Sequence, residues 1–325
     1  MWRIRVIATI GILAALAGPA AAQDWPTRPV TMLVPYAPGG SFDVIGRIFA
    51  ARMGETLGQP VIVENVSGAG GTIGANRVAK AAPDGSVFLL GSNGTQAFSQ
   101  TLYGKPPYDA VTDFAPVALF VEQPMVLVTR TDFPAGNLQE FVAAVKANMA
   151  NIRVGSAGVG SNTHLACTLL NAATGIDVTN VPYRGGAPLI TDLIAGHVDY
   201  ACDNIGVVLS HIASRTLKPI ATLSRDRSAL LPDVPTAQEQ GLADFDVYTW
   251  NAFFLPKGTT SAVVKRLNEA AVEAMSTPSV RDRIASLGAT VVAPERRSPE
   301  YLATFLQVEI DKWAIAIKAS GVRLD

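Results

Sequence analysis

Cysteine is scarce in this chain: 325 residues contain two, Cys167 and Cys202. Histidine is nearly as rare, with three, at His164, His197 and His211. Neither type falls into a metal-ligand spacing. There is no His-Glu-x-x-His and no Cys-x-x-Cys, and His164 with Cys167 alone is too little for a metal. The Gly-x-Ser-x-Gly elbow of common hydrolases is absent, and so is the phosphate loop Gly-x4-Gly-Lys-Ser/Thr. One glycine string, Gly68-Ala69-Gly70-Gly71-Thr72-Ile73-Gly74, approaches a dinucleotide fingerprint but has the wrong spacing, and it reads as a turn opening a helix. Charge of one sign is missing too. The 26 basic and 27 acidic residues are interspersed, which leaves no basic footprint for nucleic acid. The chain is therefore expected to carry no metal and no cofactor, to bind no nucleic acid, and to catalyse nothing.

Long hydrophobic runs are also lacking, with one exception at the start. Arg3 and Arg5 precede a short apolar core over 7–17, and Ala20-Ala21-Ala22 supplies small residues for cleavage. Residues 1–22 read as a secretion signal whose core is too short for a membrane span. No cysteine stands near the cleavage site, so no lipid anchor is expected. Losing Arg3 and Arg5 takes the formal charge from −1 to −3. The remaining chain, starting near Gln23, is expected in the periplasm as a monomer. There Cys167 and Cys202 can pair in an oxidising compartment, or can serve as two small buried hydrophobes; their spacing does not decide.

What the chain does have is alternation. Strands are expected at 30–35, 61–65, 87–91, 115–120, 125–129, 153–156, 177–181, 200–203, 218–222 and 252–255. Helices are expected at 43–56, 72–81, 138–148, 163–173, 187–195, 261–276, 279–287 and 299–319. Strands separated by helices imply βαβ units, hence an α/β fold with parallel sheets. The C-terminal part is helix-rich with few strands. An economical path makes one domain of 23–122 plus 248–325 and a second of 123–247. The chain would cross near Glu122-Gln123-Pro124 and near Asp246-Val247-Tyr248, making a hinge with a ligand cleft between domains.

Two loops carry the chemistry. The first is Val34-Pro35-Tyr36-Ala37-Pro38-Gly39-Gly40-Ser41-Phe42-Asp43, a strand end, a glycine turn and a helix start. Amides of a first helical turn have no intrahelical acceptor, and the helix dipole favours an anion in front of them. Gly39 and Gly40 allow close approach, Ser41 adds a hydroxyl, and Asp43 caps or orients the helix. The second loop runs through Gly155, Ser156, Ala157, Gly158, Gly160, Ser161, Asn162, Thr163 and His164. Each loop alone is a common capped turn. Two of them, both polar and nearly uncharged, point to a carboxylate held by neutral donors. Val181-Pro182-Tyr183-Arg184-Gly185-Gly186 echoes the first loop and adds the Arg184 guanidinium, facing an acid group or simply marking a surface turn. Asp203 ends a strand, where it can accept from a ligand or cap the next segment.

These motifs, together with Pro83-Asp84-Gly85, Pro107-Tyr108-Asp109, Asp113-Phe114 and Leu231-Pro232-Asp233-Val234-Pro235-Thr236, occur in an order that resembles the Bug family of periplasmic solute-binding receptors, the binding components of tripartite tricarboxylate transporters. The resemblance spans the whole chain after the leader. It implies a two-domain Venus flytrap (type II periplasmic binding protein) and no catalysis. It also implies a small carboxylate held between the loops, partly through water, and delivery to an inner-membrane permease. By position it assigns the first carboxylate loop to Tyr36 through Asp43, the second to Ser156 through His164, and ligand discrimination to Asp203. The chain departs from the family pattern at Phe42, Thr168 and Cys202. Phe42 replaces a small residue, and with Phe98 and Trp250 it suggests a ligand with an aromatic or apolar body. The competing reading is a periplasmic or secreted enzyme acting on a small carboxylate in the same cleft.

Overall fold

The computed structural model describes residues 25–321 and residue 323; the expected leader, 1–22, lies outside the described residues. Strand β1 (Val30–Val34) is flanked in parallel by β2 (Val61–Asn65) and β3 (Val87–Ser92). Its VTMLV sequence is almost wholly buried, the composition expected of a strand covered on both faces. Helix α1 (Ser41–Leu57) connects β1 to β2. It buries Ile45, Phe49, Met53 and Leu57, a spacing of four that makes one stripe. Gly58 ends it in the left-handed conformation at φ 72°, which glycine adopts without steric cost. Helices α2 (Thr72–Ala79) and α3 (Ser99–Leu102) complete this part, the latter preceded by a π-turn over Gly94–Phe98.

Strand β4 (Phe114–Thr129) differs from expectation: one 16-residue strand replaces two. Its first half runs antiparallel to β9 (Tyr248–Pro256) as far as the Pro124–Tyr248 pair. From Met125 onward it pairs with β7 (Tyr200–Asn204) and β8 (Lys218–Thr222). Pro124 does not break the strand because it lies where one set of partners gives way to the next, a place where a missing N–H is tolerated. A short strand, β10 (Thr290–Val291), also joins β4. The second lobe adds α4 (Leu138–Ala147), β5 (Arg153–Ser156), α5 (Asn162–Thr174), β6 (Thr179–Pro182), α6 (Gly186–Ile194) and α7 (Ile205–Ala213). Strand β5 pairs in parallel with β6 and β7. The sheets are thus mixed and not purely parallel, because β4 and β9 run against their neighbours. Helices α8 (Ser261–Ser276), α9 (Pro278–Ser286) and α10 (Pro299–Ser320) return to the first lobe. The result is a mixed α/β, two-lobed binding-protein fold.

Aromatic rings fill the first lobe, where Phe120 stacks on Phe253 at 4.0 Å and Phe49 meets both. Phe141 edges onto Tyr200 in the second. The cysteines, left open by the sequence, form a disulfide joining α5 to β7, with Cα atoms 5.4 Å apart. No described helix is long and apolar enough to cross a membrane.

Candidate functional site

Four helix N-termini converge on one small cavity between the lobes. It is lined by Gly40, Ser41 and Phe42 at the start of α1, and by Ser161, Asn162 and Thr163 at the start of α5. Gly186 opens α6, and Asp203 and Asn204 lead into α7. Tyr36, Ala37, Ala157 and Val207 complete the lining, and the volume is about 20 Å³. First-turn amides have no intrahelical acceptor, and each helix end carries roughly half a positive charge. No lysine or arginine lines the space. The site's attraction for an anion is built from backbone dipoles and neutral donors.

Side chains fix the two loops. Asp43 accepts from the Gly39 amide at 2.9 Å and pairs with Arg47. Burial alone would raise its pKa, but the hydrogen bonds from Arg47 and Gly39 outweigh burial and hold it below the ordinary carboxylate value. Asp43 therefore shapes the loop and is spent on it. In the second loop Thr163 Oγ1 accepts from the Ala157 amide at 2.6 Å, and Ser161 caps α5. His164 Nδ1 accepts from the Gly160 amide at 3.2 Å. Burial pushes this imidazole down to about 4, so at neutral pH it is an uncharged acceptor. Tyr36 donates to the Gly70 carbonyl at 3.2 Å, and burial pushes its hydroxyl up to about 12. Ser41 donates to Gln123, which in turn donates to Asn251 at 2.7 Å. The first loop is thereby tied to β4 and β9.

Asp203 is the one ionisable carboxyl in the lining. One oxygen accepts from the Asn204 amide at 2.7 Å, and the other has no partner. The unpartnered oxygen points at the start of α6, where a Cβ on Gly186 would lie 3.2 Å away. Burial raises its pKa to about 7.

The fold brings some of the expected site residues together and leaves others apart. Tyr36, Ala37, Gly40, Ser41, Phe42, Ala157, Ser161, Asn162 and Asp203 meet around the cavity. Pro38 and Gly39 are exposed at the outer edge of the first loop. Asp43, Gly160 and His164 serve the loops from behind; Ser156 is buried and Gly158 half-buried outside the lining. Arg184 stands exposed on the turn before α6, outside the cavity, where a guanidinium keeps its water. Phe42 lines the cavity, its ring 4.4 Å from Tyr36. Phe98 packs instead on Trp313, and Trp250 on Phe305 with its indole bonded to Glu309, all within the core. Gly186, Asn204 and Val207 join the lining without being expected there. The signal for Gly186 is a glycine opening a helix, overshadowed by the arginine two residues before it. Helix α7 escapes pattern reading because its apolar run follows β7 with no loop between.

The lobes touch through backbone. A Cβ on Gly70 would meet Val159 O at 2.4 Å, and one on Gly206 would meet Leu287 O at 2.8 Å. A four-carbon acid does not fit in about 20 Å³ unless the lobes part.

Residues 45–322 match the model of the tripartite tricarboxylate transporter family receptor. Protein BugT of Bordetella pertussis is 37% identical over 324 residues, covering 98% of both chains. Among solved structures, the periplasmic binding protein BugD superposes with a TM-score of 0.89 at 38% identity, covering 92% of this chain and 99% of its own. MatC from Rhodopseudomonas palustris, solved with bound malate, gives 0.88 at 41% identity, covering 90% and 100%. These relatives are solute-binding proteins and not enzymes, which sets the enzyme reading aside. The chain belongs to the tripartite tricarboxylate transporter family of receptors.

Proposed function

We propose that this receptor captures a small organic acid in the periplasm by its carboxylate, closes its lobes over it as a monomer, and presents it to a membrane transporter. The convergence of four helix N-termini on one cavity without a basic side chain is the observation that carries the reading. Dipoles and amides recognise a single compact anion, and their strength is greatest where the lobes exclude water. The malate held by MatC supports a carboxylate as the ligand class. The division at 122/123 and 247/248 into two hinged bodies belongs to the proposal, supported by the change of partners along β4.

The test is a thermal-shift panel of the purified protein with short carboxylates and their neutral amides. The correct acid at a hundredfold excess over Kd contributes about 2.7 kcal/mol, and its amide contributes nothing. Equal shifts from acid and amide, or no shift from any carboxylate, would refute the reading.

A further inference from the structure

A second, much larger cavity adjoins the small one. Ser41 and Val207 line both, and the second has a volume of about 390 Å³. That size lies within the range, about 300–1,000 Å³, that buries small organic ligands. Its walls come from both lobes. Val44 of α1 and Leu287 face Ile190 and Ile194 of α6 and Val207 of α7. Ile190 is buried, and Ile194 is 40% exposed at the open side. Thr191, Ser210 and His211 stand on the far rim, where His211 is engaged by Thr216 at 3.2 Å. No lysine, arginine, aspartate or glutamate lines this groove.

We infer that the groove is a second chamber of the ligand site and takes the apolar body of a monocarboxylic acid whose head lies at the four helix ends. The inference rests on the carboxylate reading above and adds the rest of the molecule to it. The head space is too small for more than the anion, so the remainder of a ligand must leave it. Ser41 and Val207 stand between the two spaces, and the larger one offers aliphatic side chains. A second carboxylate set against Val44, Ile190, Ile194 and Leu287 would meet no lysine or arginine, so its desolvation would go uncompensated. A methylene chain or ring would be covered by Val44, Ile190, Ile194 and Leu287. The suggestion of an apolar body made from Phe42 thus finds its place beyond Ser41, away from the aromatic core.

Isothermal titration of the full secreted protein with butanoate, hexanoate, octanoate and malate tests this. Each buried methylene is expected to tighten binding about threefold to fourfold, so octanoate should exceed butanoate by at least about thirtyfold. Ile194→Asp and Thr191→Trp alter exposed positions of α6 and leave the helix ends untouched. Both should flatten the gain with chain length, weakening octanoate far more than butanoate, and an unchanged melting temperature without ligand shows that they fold. Malate binding with no monoacid binding, or a flat chain-length series, overturns the chamber and leaves the carboxylate reading standing. Binding of no acid overturns both. Unaltered octanoate affinity in both variants, with loss of uptake in cells, would make the groove a partner face and refute the inference.

Discussion

Asp203 is the residue whose surroundings conflict most with its ordinary chemistry. A carboxyl that titrates near 3.8 in an unfolded chain titrates near 7 here because burial penalises the anion. The folded state holds the proton over that interval and the unfolded state does not. Stability without ligand therefore falls as pH rises from about 4 through 7, and is flat above. Asp203→Asn should remove this slope. The variant is expected to match the parent near pH 4 and to exceed it at pH 8 by on the order of 2 kcal/mol, measured by urea denaturation at both values. Ligand binding depends on the same proton. An acid approaching a neutral Asp203 can accept from it, whereas an ionised Asp203 repels it. Affinity for the best carboxylate should weaken between pH 6 and 8 in the parent and stay level in the variant. Parallel pH profiles of the two proteins would exclude Asp203 from that role.

At the scale of elements, the disulfide fastens α5, whose first turn lines the cavity, to the strand that presents Asp203. Cys167 and Cys202 are 35 residues apart, and closing a loop of that length removes unfolded-chain entropy worth about 4 kcal/mol. Replacing both by serine should lower stability by about 2–4 kcal/mol in denaturant melts. Ligand affinity should fall as well, because α5 can then slide on β7. Reduced and oxidised parent protein with equal melting points would contradict this. Sequence pattern reached these elements unevenly. Strand β5 and helix α8 read correctly because their period and caps are local: Thr260 accepts from Val263 at the helix start. Strand β4 read as two because Glu122-Gln123-Pro124 looks like a loop until β9 and β7 supply successive partners. The two glycine loops that border the cavity were legible as turns opening helices because glycine, serine and a helix start stand side by side. Gly186 and Asn204 were not, since each contributes one helix end to a cavity that exists only after four elements meet. The groove beside them was invisible for the same reason: Val44, Ile190 and Leu287 look like ordinary core positions along the chain.

At the scale of the whole molecule, the proposed closure requires that two lobes come together without side chains in the way, and Gly70 is where this is most demanding. Its φ is 62°, and a Cβ would lie 2.4 Å from Val159 O and 2.9 Å from Ser161 N across the cleft. Those atoms belong to backbone and cannot swing aside. Gly70→Ala should therefore act as a wedge. Within its own lobe the substitution costs about 1 kcal/mol for the left-handed conformation, so the protein still folds. Across the cleft it holds the α5 loop away from α1, and the four helix ends no longer address one anion. Affinity for the carboxylate found by the thermal-shift panel should drop at least tenfold, about 1.4 kcal/mol. Solution scattering gives the matching structural readout. The parent should contract on saturation with ligand as the hinge closes, and the variant should keep its larger radius of gyration. A variant that closes and binds like the parent would show that the lobes meet elsewhere and that the approach at Gly70 is not the contact that limits closure.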